Sequence, residues 1–138
     1  FRWLHSQYAS KVGVNLSFNG SLSHRIYAGA DMFLMPSLSE PCGLAQMIAS
    51  QYGTVPIVRE TGGLRDSIHD CSLGEGNGFT FASMEARDLE DAVLRALELY
   101  KDKDAWEKLC KHIMGIDFSW RNSASQYMDL YRELIEIA

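Results

Sequence analysis

The sequence predicts an α/β domain built on a Rossmann-like, doubly wound parallel sheet, with extra helices at its C-terminal end. Three observations carry that prediction. Short apolar runs alternate with helical patterns through residues 1–83, as expected of parallel strands joined by right-handed crossovers. One run, Met-Phe-Leu-Met at 32–35, is apolar at every position, as a strand covered by helices on both faces would be. The composition then changes: ten of the eleven glycines and all three prolines lie in 1–83 with only eleven charged residues, whereas 84–138 hold one glycine and twenty charges. Glycine and proline punctuate short strands and turns, while charge-rich sequence with apolar periodicity and few breakers forms surface helix. Residues 1–83 are therefore expected to form a β/α core, and residues 84–138 the C-terminal helices of the same domain.

The elements follow in order. Phe1, Leu4, Tyr8 and Val12 have helical spacing, with no cap or strand signal before them, so the chain is expected to begin inside a larger protein and the core to be incomplete at its N-terminal side. The apolar run at 14–18 predicts a first strand, 22–28 a helix, 32–35 a second strand, 44–52 a helix and 55–58 a third strand. A further strand is expected at 78–81, after the turn-forming Gly74-Glu-Gly-Asn-Gly78. Leu89, Ala92, Val93, Ala96, Leu97 and Tyr100 recur at i, i+3, i+4, i+7 and i+8, the rule of an amphipathic helix, and Trp106, Leu109, Cys110 and Ile113 continue in a second. A third opens at Ser119, a good N-cap, and is expected to bury Trp120, Ala124, Tyr127, Met128, Tyr131 and Leu134 on one face.

Composition narrows the function. The 138 residues are 46% hydrophobic and 11% aromatic, enough for one globular domain whose core needs neither disulfides nor a structural metal. A net charge of −5 argues against a nucleic-acid partner, whose phosphates call for a basic surface. Cys42, Cys71 and Cys110 form no C-x-x-C pair, which fits free thiols in a reducing compartment and leads us to expect a cytoplasmic protein. No run approaches the ~18 consecutive apolar residues of a membrane span, and no signal-peptide pattern is present, so no membrane partner is expected. His5, His24, His69 and His112 show no ligand spacing, and no nucleophile elbow occurs; neither a metal site nor an acyl-transfer triad is expected.

Ligands of open α/β sheets bind at the carboxyl ends of the strands. Three loops would open there: Phe18-Asn-Gly-Ser-Leu-Ser-His-Arg25, Pro36-Ser-Leu-Ser-Glu-Pro-Cys-Gly-Leu-Ala-Gln46, and Glu60-Thr-Gly-Gly-Leu-Arg-Asp66. In the second, Glu40 and Pro41 precede Cys42-Gly43-Leu44, where a helix must start. A helix start presents unpaired N–H groups that receive phosphate, and glycine lets phosphate approach the backbone. The amides of Gly43, Leu44 and Ala45 are therefore candidate phosphate donors. Glu40 would repel phosphate but suits a neutral, hydroxyl-rich group beside it, a combination that describes a sugar nucleotide. The alternative is that Glu40 merely caps the helix and Gly43 merely turns the chain. Gly62 and Gly63 either offer amides to an anion or form only a tight connection. Phe18 either stacks on a base, with Asn19 bonding its edge, or belongs to the core.

Five blocks, Ser23-His-Arg-Ile-Tyr-Ala-Gly-Ala-Asp31, the 36–46 segment, Tyr52-Gly-Thr-Val-Pro-Ile-Val58, Thr61-Gly-Gly-Leu-Arg-Asp66 and Asp117-Phe-Ser-Trp120, give the chain a close resemblance to bacterial glycogen synthases and plant starch synthases, in the same order and over nearly its whole length. The resemblance implies the C-terminal, donor-binding half of a two-domain GT-B glycosyltransferase. Such an enzyme moves glucose from ADP-glucose to the non-reducing end of an α-1,4-glucan with retention of configuration. It implies that Glu40 is the catalytic-site glutamate contacting the donor glucose, and that Cys42, Gly43, Leu44 and Ala45 hold sugar and diphosphate through their backbone. Phe18 and Asn19 fall where the family surrounds the adenine, usually with Tyr at the first position. The final block resembles the start of a helix that leads back toward the N-terminal domain.

Many related enzymes place a second glutamate eight positions after the first, where this chain has Ile48; the glycogen and starch synthase branch also lacks it. The family mechanism is a front-face attack in which the departing diphosphate helps deprotonate the acceptor, so electrostatic stabilisation carries much of the catalysis. No cofactor is implied, and no essential divalent metal. The family's phosphate-binding Arg and Lys and its N-terminal Lys-x-Gly-Gly motif do not occur in this chain, which alone is expected to be inactive. The alternatives are another sugar-nucleotide enzyme of the same fold, or a non-catalytic α/β regulatory module.

Overall fold

The computed structural model describes residues 1–137. The elements run α1 (Arg2–Gln7), α2 (Gly20–Gly29), β1 (Met32–Met35), α3 (Ala45–Gln51), β2 (Val55–Arg59), α4 (Gly63–Ser67), a single 3₁₀ turn (Cys71–Leu73), β3 (Phe79–Phe81), α5 (Ala86–Lys101), α6 (Lys103–Met114) and α7 (Trp120–Ile137). The three strands form one parallel sheet in the order β1-β2-β3. Met32 pairs with Val55 and Ile57 with Phe79. This is the predicted α/β class, with its crossovers supplied by α3 and by α4.

The central strand explains the packing. Side chains alternate across a strand, so Val55 and Ile57 face one way and join Phe79, Phe81, Ala92, Ala96, Trp106, Leu109 and Ile113 in the main core. Val58 faces the other way and packs with Leu64 and Ile68. β2 is thus sandwiched between α5–α6 and α4. Each fully buried aliphatic side chain of this kind contributes roughly 1.5–3 kcal/mol. The start of α6 is set by Asp102, whose carboxylate accepts the Ala105 N–H at 3.0 Å. It brings Trp106 edge-on to Tyr100, with ring centroids 5.0 Å apart.

Four expectations change. The 14–18 run forms no strand: among the described residues nothing pairs with it, and the Asn15 carboxamide oxygen takes both the N–H and the hydroxyl of Ser17, at 2.9 and 2.8 Å. Such a local turn competes with a ladder. The helical pattern at 1–12 is realised only over α1, which ends at Gln7 with Tyr8 as its C-cap and buries no residue. β1 is not covered on both faces; as the sheet's edge strand it leaves Leu34 45% exposed. α7 does start after Ser119, but its apolar stripe is not buried, with Trp120 87% exposed and Tyr127, Met128, Tyr131 and Leu134 also facing solvent. No helix among the described residues is long and apolar enough to cross a membrane.

Candidate functional site

The chain leaves β1 at Met35 and returns as α3; it leaves β2 at Arg59 and returns as α4. Both connecting loops stand at the carboxyl edge of the sheet, and their backbones lie against each other. The Gly63 N–H donates to the carbonyl oxygens of Glu40 at 3.2 Å and Pro41 at 3.3 Å. A Cβ on Gly62 would lie 2.0 Å from the Glu40 carbonyl oxygen, and one on Gly63 would lie 2.0 Å from that of Cys42. Gly62 also has φ +46°, a left-handed conformation that favours glycine. The two glycines are therefore required by close approach, and in this arrangement the Gly63 amide is already engaged.

Glu40 is half-buried. Its carboxylate makes neither a hydrogen bond nor an ion pair among the described residues, so it does not cap α3, whose N-cap residue Leu44 makes no side-chain cap bond either. The N–H groups of Gly43, Leu44 and Ala45 also find no acceptor among the described residues. A free carboxylate thus stands on the same short turn as three free amides, with the Cys42 side chain exposed between them. Gly43 turns the chain at φ +73°.

The adenine-side candidates behave differently. The Phe18 ring is fully in solvent, at 102% exposure, which removes it from the core. The Asn19 side-chain oxygen caps α2 by accepting the Leu22 N–H at 3.0 Å, leaving its amide group outward. Neither residue shares a hydrogen bond with the 36–46 segment.

Three residues that were not among the candidate site residues, one of them Gln46 at the end of the 36–46 block, hold this edge together. Arg59, at the end of β2, donates through Nη1 to the carbonyls of Leu38 at 2.8 Å and Ser37 at 3.3 Å, and through Nε to Ala82 at 3.2 Å. Gln46 is completely buried and donates from Nε2 to the Gly43 carbonyl at 2.7 Å and to Ser67 Oγ at 3.0 Å. Ser67 in turn donates to the Gly63 carbonyl at 2.6 Å. The available signals were the position of Gln46 three residues after a glycine, and that of Arg59 at a strand's carboxyl end.

Beside this edge, a cavity of about 410 Å³ is lined by Glu60, Asp70, Thr80, Asp88 and Arg95 among others. Its polar groups are mutually satisfied. The Asp70 carboxylate, 7% exposed, pairs with Arg95 at 2.5 Å and accepts the N–H groups of Ser72 at 2.7 Å and Thr80 at 2.8 Å. Burial pushes the Asp70 carboxyl up, but Arg95 and these N–H groups together outweigh it and hold the carboxyl below the usual carboxylate range. Burial pushes the thiols of Cys71 and Cys110 up, which keeps both protonated and unreactive near neutral pH. No group of three metal-ligating side chains occurs among the described residues.

The chain is similar to known proteins over nearly all of its length. The chain is 53% identical over 138 residues to a glycogen synthase of Bacillus cereus, covering 99% of this chain, and 53% identical over 136 residues to one from Clostridium beijerinckii, covering 97%. It spans about 29% of the length of the first of these relatives and 28% of the second. Among solved structures, the catalytic domain of starch synthase IV from Arabidopsis thaliana, bound to ADP and acarbose, superposes with a TM-score of 0.86 at 43% identity, over 96% of this chain and 28% of that one. Residues 4–112, which include β1–β3 and both glycine-bearing loops, match the family described as glycosyl transferases group 1, and the chain belongs to it.

Proposed function

We propose that the chain is the donor-binding part of a retaining glucosyltransferase of the two-domain GT-B type. It transfers glucose from ADP-glucose to the non-reducing end of an α-1,4-glucan, in the cytoplasm. The observation that carries this reading is the unengaged Glu40 carboxylate on the same turn as the unengaged amides of Gly43, Leu44 and Ala45, in a chain about half identical to glycogen synthases. Residues 1–83 supply the sugar-nucleotide core, and within the C-terminal helices α5 and α6 brace it.

The chemistry follows from charge. When the bond between sugar and diphosphate breaks, negative charge develops on the departing oxygen, and fixed N–H dipoles aimed at that charge lower the barrier without having to reorganise. The turn at Gly43–Ala45 presents such dipoles. Cys42 and Gly43 let the leaving group approach the backbone, and Gly62 and Gly63 shape the wall behind it. Glu40 accepts hydroxyl hydrogen bonds from the glucose and favours the positive character that grows on the ring. Phe18 supplies an exposed face for the adenine, with the free amide of Asn19 beside it.

Calorimetry and glucose-incorporation assays on the full-length protein test this reading. Binding of ADP-glucose with transfer to glycogen is the expected result. Preference for UDP-glucose corrects the donor alone; binding of neither sugar nucleotide overturns the proposal.

A further inference from the structure

We infer that Gln46 and Ser67 form a positioning pair that holds the Glu40–Gly43 turn in its working shape, an inference that rests on the transfer reading above. The hydrogen bonds close a ring. Gln46 Nε2 donates to the Gly43 carbonyl and to Ser67 Oγ, Ser67 Oγ donates to the Gly63 carbonyl, and the Gly63 N–H donates back to Glu40 and Pro41. The ring therefore encloses the turn that carries the carboxylate and the free amides, and fixes it from both ends. Fixing the Gly43 carbonyl sets the plane of the Gly43–Leu44 peptide, and with it the direction of the Leu44 N–H.

Stability alone does not account for a glutamine here. Its Oε1 is buried without a hydrogen-bond partner, an arrangement that costs free energy an apolar side chain of similar length would not incur. A Cβ on Gly43 would come within 2.6 Å of the same oxygen, so the carboxamide packs directly against the bare Cα of Gly43. A group retained at a cost to the fold, whose Nε2 donates both to the 40–43 turn and to α4, has the signature of positioning.

The test uses the full-length protein, with kcat and KM for ADP-glucose and the melting temperature measured for Gln46→Met, Ser67→Ala and Ser67→Thr. Misaiming donors that act on developing charge lowers kcat more than it raises KM. Gln46→Met removes the unpartnered Oε1 together with the donor to the Gly43 carbonyl, opposing effects on stability, and is expected to lower kcat about 10- to 100-fold while melting close to the parent temperature. Ser67→Ala is expected to lower kcat in the same sense, with Ser67→Thr, which keeps the hydroxyl, restoring it. Parent-like kcat in both Gln46→Met and Ser67→Ala, or losses of activity that track losses of melting temperature, overturn the inference. Should Gln46→Met fail to fold, the Ala and Thr variants at 67 decide, and equal kcat in both overturns it. A parent that transfers from no donor overturns the function proposed above and this inference with it; an active parent with unaffected variants overturns this inference alone.

Discussion

At Gly63 the distance between a hydrogen and a methyl group decides whether two loops can meet. The added carbon of Gly63→Ala would sit 2.0 Å from the Cys42 carbonyl oxygen, a backbone atom that cannot swing aside, so the 40–42 turn must move. Overpacking of this kind costs about 1–3 kcal/mol or more, and Gly63→Ala is expected to lower the melting temperature and disturb the Glu40 turn together. Gly29→Ala provides the contrast: that position is open, with nothing within 4 Å, and lies at the end of α2, so alanine there is expected to stabilise by about 0.4–1 kcal/mol through the unfolded chain. Thermal unfolding of both variants checks the pair, and similar melting behaviour at the two sites would contradict the steric account. The glycine pair was legible in the sequence, but whether it served an anion or a tight connection was not, because that depends on what lies across from it. Gln46 and Ser67 were less legible still. At the start of a helix a glutamine looks like a surface residue, and only tertiary contacts, among them its bond to Ser67 of α4, reveal it as buried.

At the level of elements, β3 and α5 are clamped by Asp70 and Arg95. Asp70 holds the Thr80 N–H of β3, while Arg95 of α5 reaches both the Asp70 carboxylate and the Thr80 carbonyl, the latter at 2.7 Å. Asp70→Asn removes the charge but keeps the shape, and is expected to cost on the order of 2 kcal/mol at neutral pH. The pH dependence has a definite sign. The folded Asp70 carboxyl titrates below its ordinary value, so its contribution is fully present above the unfolded aspartate pKa near ~4 and is lost as pH falls through the lower folded value. Chemical denaturation of the parent and Asp70→Asn across pH 7 to 3 should therefore show their difference narrowing only below about pH 4; a constant difference would remove the ionic part of the clamp. The apolar runs at 32–35, 55–58 and 78–81 were readable as strands because each finds a neighbour. The run at 14–18, Val-Asn-Leu-Ser-Phe, alternates apolar and polar residues as a strand would yet forms none, since such a pattern does not specify a strand without a partner for its backbone groups. The stripe on α7 was readable as a helix face, but periodicity does not reveal what covers it, and here Trp120 and Tyr131 face solvent.

For the whole molecule the question is charge. On the proposed function a sugar diphosphate brings negative charge to a chain whose net charge is −5, and the first 83 residues hold only five basic side chains. One of them, Arg59, reaches the 36–40 loop but donates there to the carbonyls of Ser37 and Leu38, serving the loop's shape. What remains at the turn for the leaving diphosphate is a set of backbone dipoles, each carrying a fraction of a unit charge. Dipoles can orient a diphosphate, yet they act strongly only where water is excluded, and in this chain Leu44 and Cys42 beside them are exposed. Since the chain spans about 29% of the length of its glycogen synthase relatives, the rest of such a protein is the natural source of the missing cations and of the wall that closes the site. The purified 138-residue chain is therefore expected to incorporate no glucose from ADP-glucose into glycogen above a protein-free control, in an assay where the proposed function has the full-length protein do so. Measurable glucan extension by the short chain would show that the dipoles of the Gly43–Ala45 turn, with Glu40, suffice without neutralising side chains.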